Sequence, residues 1–162
     1  MDVLTKILVI EDEDNIRENI QELLEAKGYY VRSASNGKQG ILEAIDFRPS
    51  LILCDIMMPK MDGFKVLEYI RKTSIVQNVP FIFLTAKSER PDFRKGMEMG
   101  ADDYITKPFD DVELLKAVES RLKKNEILRA EFSKNVEGLN KFFDEVKKVD
   151  DLKKLSADRR IK

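Results

Sequence analysis

Leu51-Ile52-Leu53-Cys54-Asp55 is a short apolar run that stops on a carboxylate, and Lys6-Ile7-Leu8-Val9-Ile10 likewise stops on Glu11-Asp12. Runs this short and this rich in Ile, Leu and Val read as strands buried on both faces. Between them, Asp14–Ala26 carries Ile16, Ile20, Leu23 and Leu24 at helical spacing, and Gly28 supplies a helix stop. The alternation continues along the chain. Tyr29–Ser33 reads as a second strand and Gly37–Phe47 as a helix closed by Pro49. Phe64–Arg71 reads as a helix opened by Asp62-Gly63, and Phe81–Leu84 as a strand entered through Pro80. Glu89–Met99 is helical up to Gly100, Asp103–Ile105 is a short strand, and Asp110 is an N-cap for a long helix from Asp111.

Five strand-then-helix units predict an α/β fold, a doubly wound, five-stranded parallel sheet with helices on both faces. In such a sheet the functional crevice lies outside the carboxyl ends of the strands. The residues there are Glu11 and Asp12 after strand one, Asp55 after strand three, Thr85 after strand four, and Lys107-Pro108 after strand five. Two like unit charges about 4 Å apart cost on the order of 4 kcal/mol at an effective dielectric near 20. Three gathered carboxylates therefore need a cation, or one must hold its proton. Oxygen ligands without imidazole or thiolate suit Mg²⁺. A carboxylate beside such an ion is suited to attack a phosphoryl group, with Thr85 and Lys107 holding the remaining phosphate oxygens. Each residue also has a plainer reading. Glu11-Asp12 suits a helix N-terminus, Asp55 a turn, Thr85 a solvated strand end and Lys107 a surface cation. Their placement at successive strand ends favours the functional reading.

Composition narrows the classes. The 162 residues hold 29 Lys+Arg against 30 Asp+Glu, so no global field points to nucleic acid or membrane. The single cysteine, Cys54, excludes an internal disulfide and a cysteine-rich zinc site. The absence of His removes imidazole bases, His–metal sites and any phosphohistidine on this chain. No apolar stretch reaches the length of a signal h-region or a membrane span, so the cytoplasm is the expected compartment.

Four segments together resemble the receiver domain of two-component response regulators. They are Ile7-Leu8-Val9-Ile10-Glu11-Asp12-Glu13, Asp55-Ile56-Met57-Met58-Pro59 with Asp62-Gly63, Leu84-Thr85-Ala86, and Gly100-Ala101-Asp102-Asp103-Tyr104 running into Lys107-Pro108-Phe109. The resemblance implies a flavodoxin-like (βα)5 receiver over residues 1–123. It implies Asp55 as phosphoacceptor, with Mg²⁺ held by Glu11, Asp12, Asp55 and the backbone carbonyl of Met57. Lys107 would pair with the acyl phosphate, across a cis peptide to Pro108. Thr85 and Tyr104 would form the switch, Thr85 turning toward the phosphate and Tyr104 rotating inward. That reshapes the face made by the fourth helix, fifth strand and fifth helix. Met57 and Lys87 would tune phosphate lifetime. The implied partner is a histidine kinase or phosphotransfer protein, and the implied role is a phosphoacceptor with slow self-dephosphorylation rather than an enzyme. The family commonly has Asp where this chain has Glu11, which leaves direct or water-mediated metal contact open.

Residues 124–162 read as a helical extension or a linker toward an output domain, such as one controlling transcription. Leu115, Val118, Leu122, Asn125, Arg129 and Phe132 begin a 3,4-spaced seam that continues through Val136, Leu139, Phe143 and Val146. Gly138 is a candidate break. Two readings stand: a charged helix that folds back on its own domain or frays, and a dimeric coiled coil. The dimeric reading allows a homodimer through the C-terminal helix or through the fourth-helix, fifth-strand, fifth-helix face; direct nucleic-acid binding by residues 1–123 and membrane association are not expected. A haloacid-dehalogenase-type phosphatase would need a second Asp where Met57 stands. A flavin-binding module would meet repulsion between its phosphate and Glu11-Asp12-Glu13-Asp14. No GxxxxGK[ST] loop occurs.

Overall fold

The computed structural model describes residues 4–86 and 93–161, with the side chains of the last two excepted. It divides into two compact units, Met1–Leu122 and Lys123–Lys162. The elements run β1 Lys6–Ile10, α1 Asp14–Ala26, β2 Tyr30–Ala34, α2 Gly37–Phe47, β3 Leu51–Asp55, α3 Gly63–Lys72, β4 Phe81–Ala86, α4 Phe93–Glu98, β5 Asp103–Lys107 and α5 Asp111–Ile161.

All strand pairs are parallel, in the order β2-β1-β3-β4-β5. The chain starts at an inner strand, steps to one edge and then crosses to the other, so its direction of winding reverses at β1 and β3. This fold class places its crevice at that reversal, outside the strands' carboxyl ends. Alternate side chains of the strands enter two cores. Leu8, Ile10, Ile52, Cys54, Phe81 and Phe83 pack with residues of α2 and α3, and Ile7, Val9, Leu51, Leu53, Ile82 and Leu84 pack on the opposite face. The central strands are buried on both sides, which explains their unbroken apolar runs.

Side chains cap the starts of α2, α3 and α5. Asn36 Oδ1 accepts from Gln39 N at 2.8 Å, and Asp62 Oδ1 from Lys65 N at 2.9 Å. Asp110 and Glu113 form a reciprocal capping box, with Glu113 N donating to Asp110 Oδ1 at 2.7 Å and Asp110 N to Glu113 Oε2 at 3.4 Å. Gly28, at φ +92°, lets the chain turn out of α1.

The structure shifts several expected boundaries. Tyr29 N bonds back to Leu24 O at 3.2 Å, so it belongs to the helix exit and β2 starts at Tyr30. Strands β4 and β5 run two residues further than expected because Thr85 pairs with Thr106 and Ala86 with Lys107. The expected helical residues Glu89–Asp92, and Lys87, lie outside the described residues. Gly138 does not break α5, which continues as helix to Ile161. The N-terminal part of the expected seam is committed to the domain core. Val118 is fully buried, and Leu115 and Leu122 pack against the same cluster.

Candidate functional site

β1 and β3 are neighbours in register, Ile10 opposite Cys54, so the residues that follow them emerge side by side. Glu11, Asp12 and Asp55 bring one carboxylate oxygen each to within 4.8 Å of one another. Glu11 is fully buried and Asp55 nearly so. Backbone bonds fix the loop that holds Glu11. Its N–H donates to Ala34 O at 3.1 Å, its carbonyl accepts from Arg17 Nη1 at 2.9 Å, and its Oε1 accepts from Glu13 N at 3.3 Å.

Lys107 supplies the opposing charge from the end of β5. Its Nζ lies 3.0 Å from Glu11 Oε2 and 3.4 Å from Asp55 Oδ1, and its side chain is 18% exposed. The peptide from Lys107 to Pro108 is cis, as the resemblance implies. One ammonium among three carboxylates leaves the pocket negative. Burial, reinforced by the charge of Glu11, pushes the Asp55 carboxyl up to about 7 despite Lys107. Burial also raises Glu11, against the hydrogen bond from Lys107. Burial opposes the charge on Lys107, yet the hydrogen bond to Glu11 and the charge of Asp55 outweigh it and its pKa rises. Protons thus collect where positive charge is lacking. Three hard oxygen donors, two of them desolvated, fit a divalent cation that favours oxygen ligands.

Thr85 is 7% exposed in β4, next to β3, and its hydroxyl donates to Ala86 O at 3.2 Å. Tyr104, on β5, donates its hydroxyl to Phe93 O at 2.7 Å and stacks on Phe93 with ring centroids 4.1 Å apart. Gly96 makes this position available, since a Cβ there would overlap the Tyr104 hydroxyl. Met57, two residues past Asp55, has a largely exposed side chain. Beside Lys107, Ile16, Ile20, Leu23, Phe109 and Leu114 line a cleft of about 430 Å³ between α1 and the start of α5.

Sequence reasoning missed two supports. Gly63 lies directly beneath the Asp55 carbonyl, where a Cβ would collide with backbone, and its N–H donates to Ile56 O at 2.8 Å. Arg71, on α3, donates to Val79 O at 2.6 Å, Gly100 O at 2.7 Å and Asp102 Oδ2 at 3.2 Å, while the same Asp102 oxygen accepts from Phe81 N at 2.7 Å. This ties the entrances of β4 and β5 together. Asp62-Gly63 was visible as a helix start, but the role of Gly63 depends on what stands above it. Asp102 stood within a quoted segment, without its partner in view.

This fold and this acidic edge define a class. The chain belongs to the response regulator receiver domain family, which it matches over residues 7–119. It is 44% identical over 125 residues to the transcriptional regulatory protein DltR of Streptococcus agalactiae, covering 77% of this chain and 55% of that protein. It is 42% identical over 122 residues to the alkaline phosphatase synthesis transcriptional regulatory protein PhoP of Bacillus subtilis, covering 75% and 50%. The chain thus spans about half the length of these curated relatives. Among solved structures it resembles the receiver domain of a sensor histidine kinase from Pseudomonas aeruginosa, described with a magnesium ion coordinated in its active-site cleft. That match has a TM-score of 0.69 at 30% identity, covering 75% of this chain and 99% of that one. Among the described residues no helix is long and apolar enough to cross a membrane.

Proposed function

We propose that Asp55 accepts a phosphoryl group from a phosphohistidine on a histidine kinase or phosphotransfer protein. The observation that carries this reading is the cluster itself, in which Lys107 faces Glu11 and Asp55 at 3.0 and 3.4 Å and Asp12 completes a trio of carboxylates. An Asp55 carboxylate oxygen forms the new P–O bond as the P–N bond to the imidazole breaks, and the imidazole leaves neutral after taking a proton from solvent. Glu11, Asp12, Asp55 and the Met57 carbonyl would hold Mg²⁺, which would supply charge offsetting the phosphoryl oxygens. Lys107 then exchanges a carboxylate partner for a phosphoryl oxygen, and the Thr85 hydroxyl donates to another.

The modification replaces a carboxylate of about −1 by an acyl phosphate of roughly −1.5 to −2 charges, bringing three acceptor oxygens to the sheet edge. Reorientation of Thr85 and Tyr104 biases the surface of α4, β5 and the start of α5 between two arrangements. The chain acts as a cytoplasmic phosphoacceptor with slow self-dephosphorylation rather than as a turnover enzyme. The names of its relatives support transcription as the output, carried by a part of a longer protein beyond residues 1–123. Self-association through the α4–β5–α5 face or through the C-terminal part of α5 belongs to the same reading.

The test is labelling with acetyl phosphate and Mg²⁺, read by intact mass. Wild type gains one hydroxylamine-labile phosphoryl group, and Asp55→Asn gains none. Full labelling of Asp55→Asn excludes the assignment.

A further inference from the structure

The unit Lys123–Lys162 is helical to Ile161 and carries an apolar stripe with no cover: Phe132 is 69% exposed, Phe143 58% and Leu139 54%. Leu128, Val136 and Val146 lie on the same face and are also exposed. A contiguous apolar face of this kind marks an interaction surface. With a and d as the two core positions of each heptad, Arg129, Val136, Phe143 and Asp150 occupy a, and Asn125, Phe132, Leu139 and Val146 occupy d. The flanks differ in character. Leu128, Phe142 and Val149 stand at g, whereas Glu126, Lys147 and Lys154 stand at e.

We infer that residues 125–150 of this segment pair with a second copy of themselves as an antiparallel coiled coil, Val136 of one copy lying over Leu139 of the other; the pairing ends at Asp150, because the next seam positions of the partner, Leu122, Val118 and Leu115, pack in its own domain core. The charges and flanks decide the direction. In a parallel pair each a residue meets itself, so Arg129 would face Arg129 and Asp150 would face Asp150. The g flank would meet e, setting Phe142 against Lys147 and Val149 against Lys154. In the antiparallel pair a meets d. Phe132 stacks on Phe143, Asn125 meets Asp150, and Arg129 crosses Val146 with its alkyl stem on the seam and its head in solvent. The e flank meets e, so Glu126 faces Lys147 twice, and the g flank meets g, so Leu128 faces Val149 twice and Phe142 faces Asn135 twice. Apolar side chains then meet at two of the four g contacts and no g residue meets a lysine, while opposite charges meet on the other side. The pairing rests on the second self-association surface named above and not on the chemistry of Asp55, so Asp55→Asn pairs as wild type does.

Sedimentation velocity of the 162-residue chain, with and without charge reversal, tests this. Wild type sediments as a dimer. Glu126→Lys and Lys147→Glu each raise the dissociation constant roughly tenfold, and the double reversal returns it to within about threefold of wild type. A spin label at Lys124→Cys, the native Cys54 being buried, reports roughly 40 Å between copies in the antiparallel register. It reports under roughly 30 Å in a parallel pair. A monomer at about 100 µM, a short label distance, or reversals that do not compensate each overturn the inference. The first outcome would assign the stripe to another part of a longer protein.

Discussion

The Lys107 ammonium lies nearer to Glu11, at 3.0 Å, than to Asp55, at 3.4 Å, so a single cation spans two carboxylates from different strands. Its position makes it the internal counter-charge of a pocket that otherwise repels itself. Lys107→Met is expected to lower stability by about 1–3 kcal/mol at pH 8 without divalent ions, since Glu11 and Asp55 lose their shared partner. Mg²⁺ at millimolar concentration should restore most of that loss by binding only the folded state. Urea unfolding in EDTA and in Mg²⁺ checks both parts, and a variant indifferent to Mg²⁺ would contradict the cation-site reading.

Acidity gives a second handle. Asp55 is raised from 3.8 to about 7 in the fold, chiefly by burial and then by the charge of Glu11. Its protonated form is therefore favoured by folding. Its contribution is fully present below pH about 4 and is lost as pH rises through about 7. Without divalent ions, Asp55→Asn should exceed wild type by roughly 2–4 kcal/mol at pH 8, and the gap should close toward pH 4. Denaturant titrations across this range read the sign directly. A gap that widens on acidification would overturn the assignment of burial as the dominant cause.

Gly63 is held under backbone rather than under a side chain. A Cβ there meets the Asp55 carbonyl oxygen and comes within 2.9 Å of Ile56 Cα, atoms that have no rotamer to move. Gly63→Ala should cost about 2–3 kcal/mol and displace the turn after β3, weakening divalent-ion affinity as well. Thermal unfolding and Mg²⁺ titration of the variant measure the two effects.

Gly138 is the opposite case. Nothing lies within 4 Å of a Cβ built at this position, and the helix runs through it. Gly138→Ala should add about 1 kcal/mol of helix stability without altering Asp55 chemistry. Greater ellipticity at elevated temperature, with unchanged phosphoryl labelling, is the expected result.

The contrast between these two glycines shows what a one-dimensional reading reaches. The apolar runs before Glu11, Asp55 and Thr85 carry the sheet, because a strand buried on both faces leaves no room for polar alternation. Parallel order then forces their ends to one edge, so the gathering of Glu11, Asp12, Asp55 and Lys107 could be foreseen from position alone. Arg71 could not. Its partners Gly100 and Asp102 lie about thirty residues away and are carbonyls or a single carboxylate, with no periodic signature. Gly96 was equally silent, since its meaning lies in the Tyr104 hydroxyl that fills its missing side chain. The reading placed Leu115, Val118 and Leu122 in one seam with Phe132 and Leu139 and left open whether it folds back or pairs, because helical spacing is identical whether a residue faces its own sheet or another molecule. Only the neighbours distinguish the two, and here Val118 is fully buried in the domain core.

Cys54 sits in β3, the middle strand of the sheet, with no solvent exposure, burial pushes its thiol well above the usual range, and its Sγ–H faces the Asp55 carbonyl at 3.3 Å. A thiol reagent can reach it only when the central strand opens. The rate of Cys54 modification is therefore a built-in clock for the rarest excursions of the sheet. Loading Asp55 on the next residue should slow that clock if it tightens the edge and quicken it if it loosens the edge.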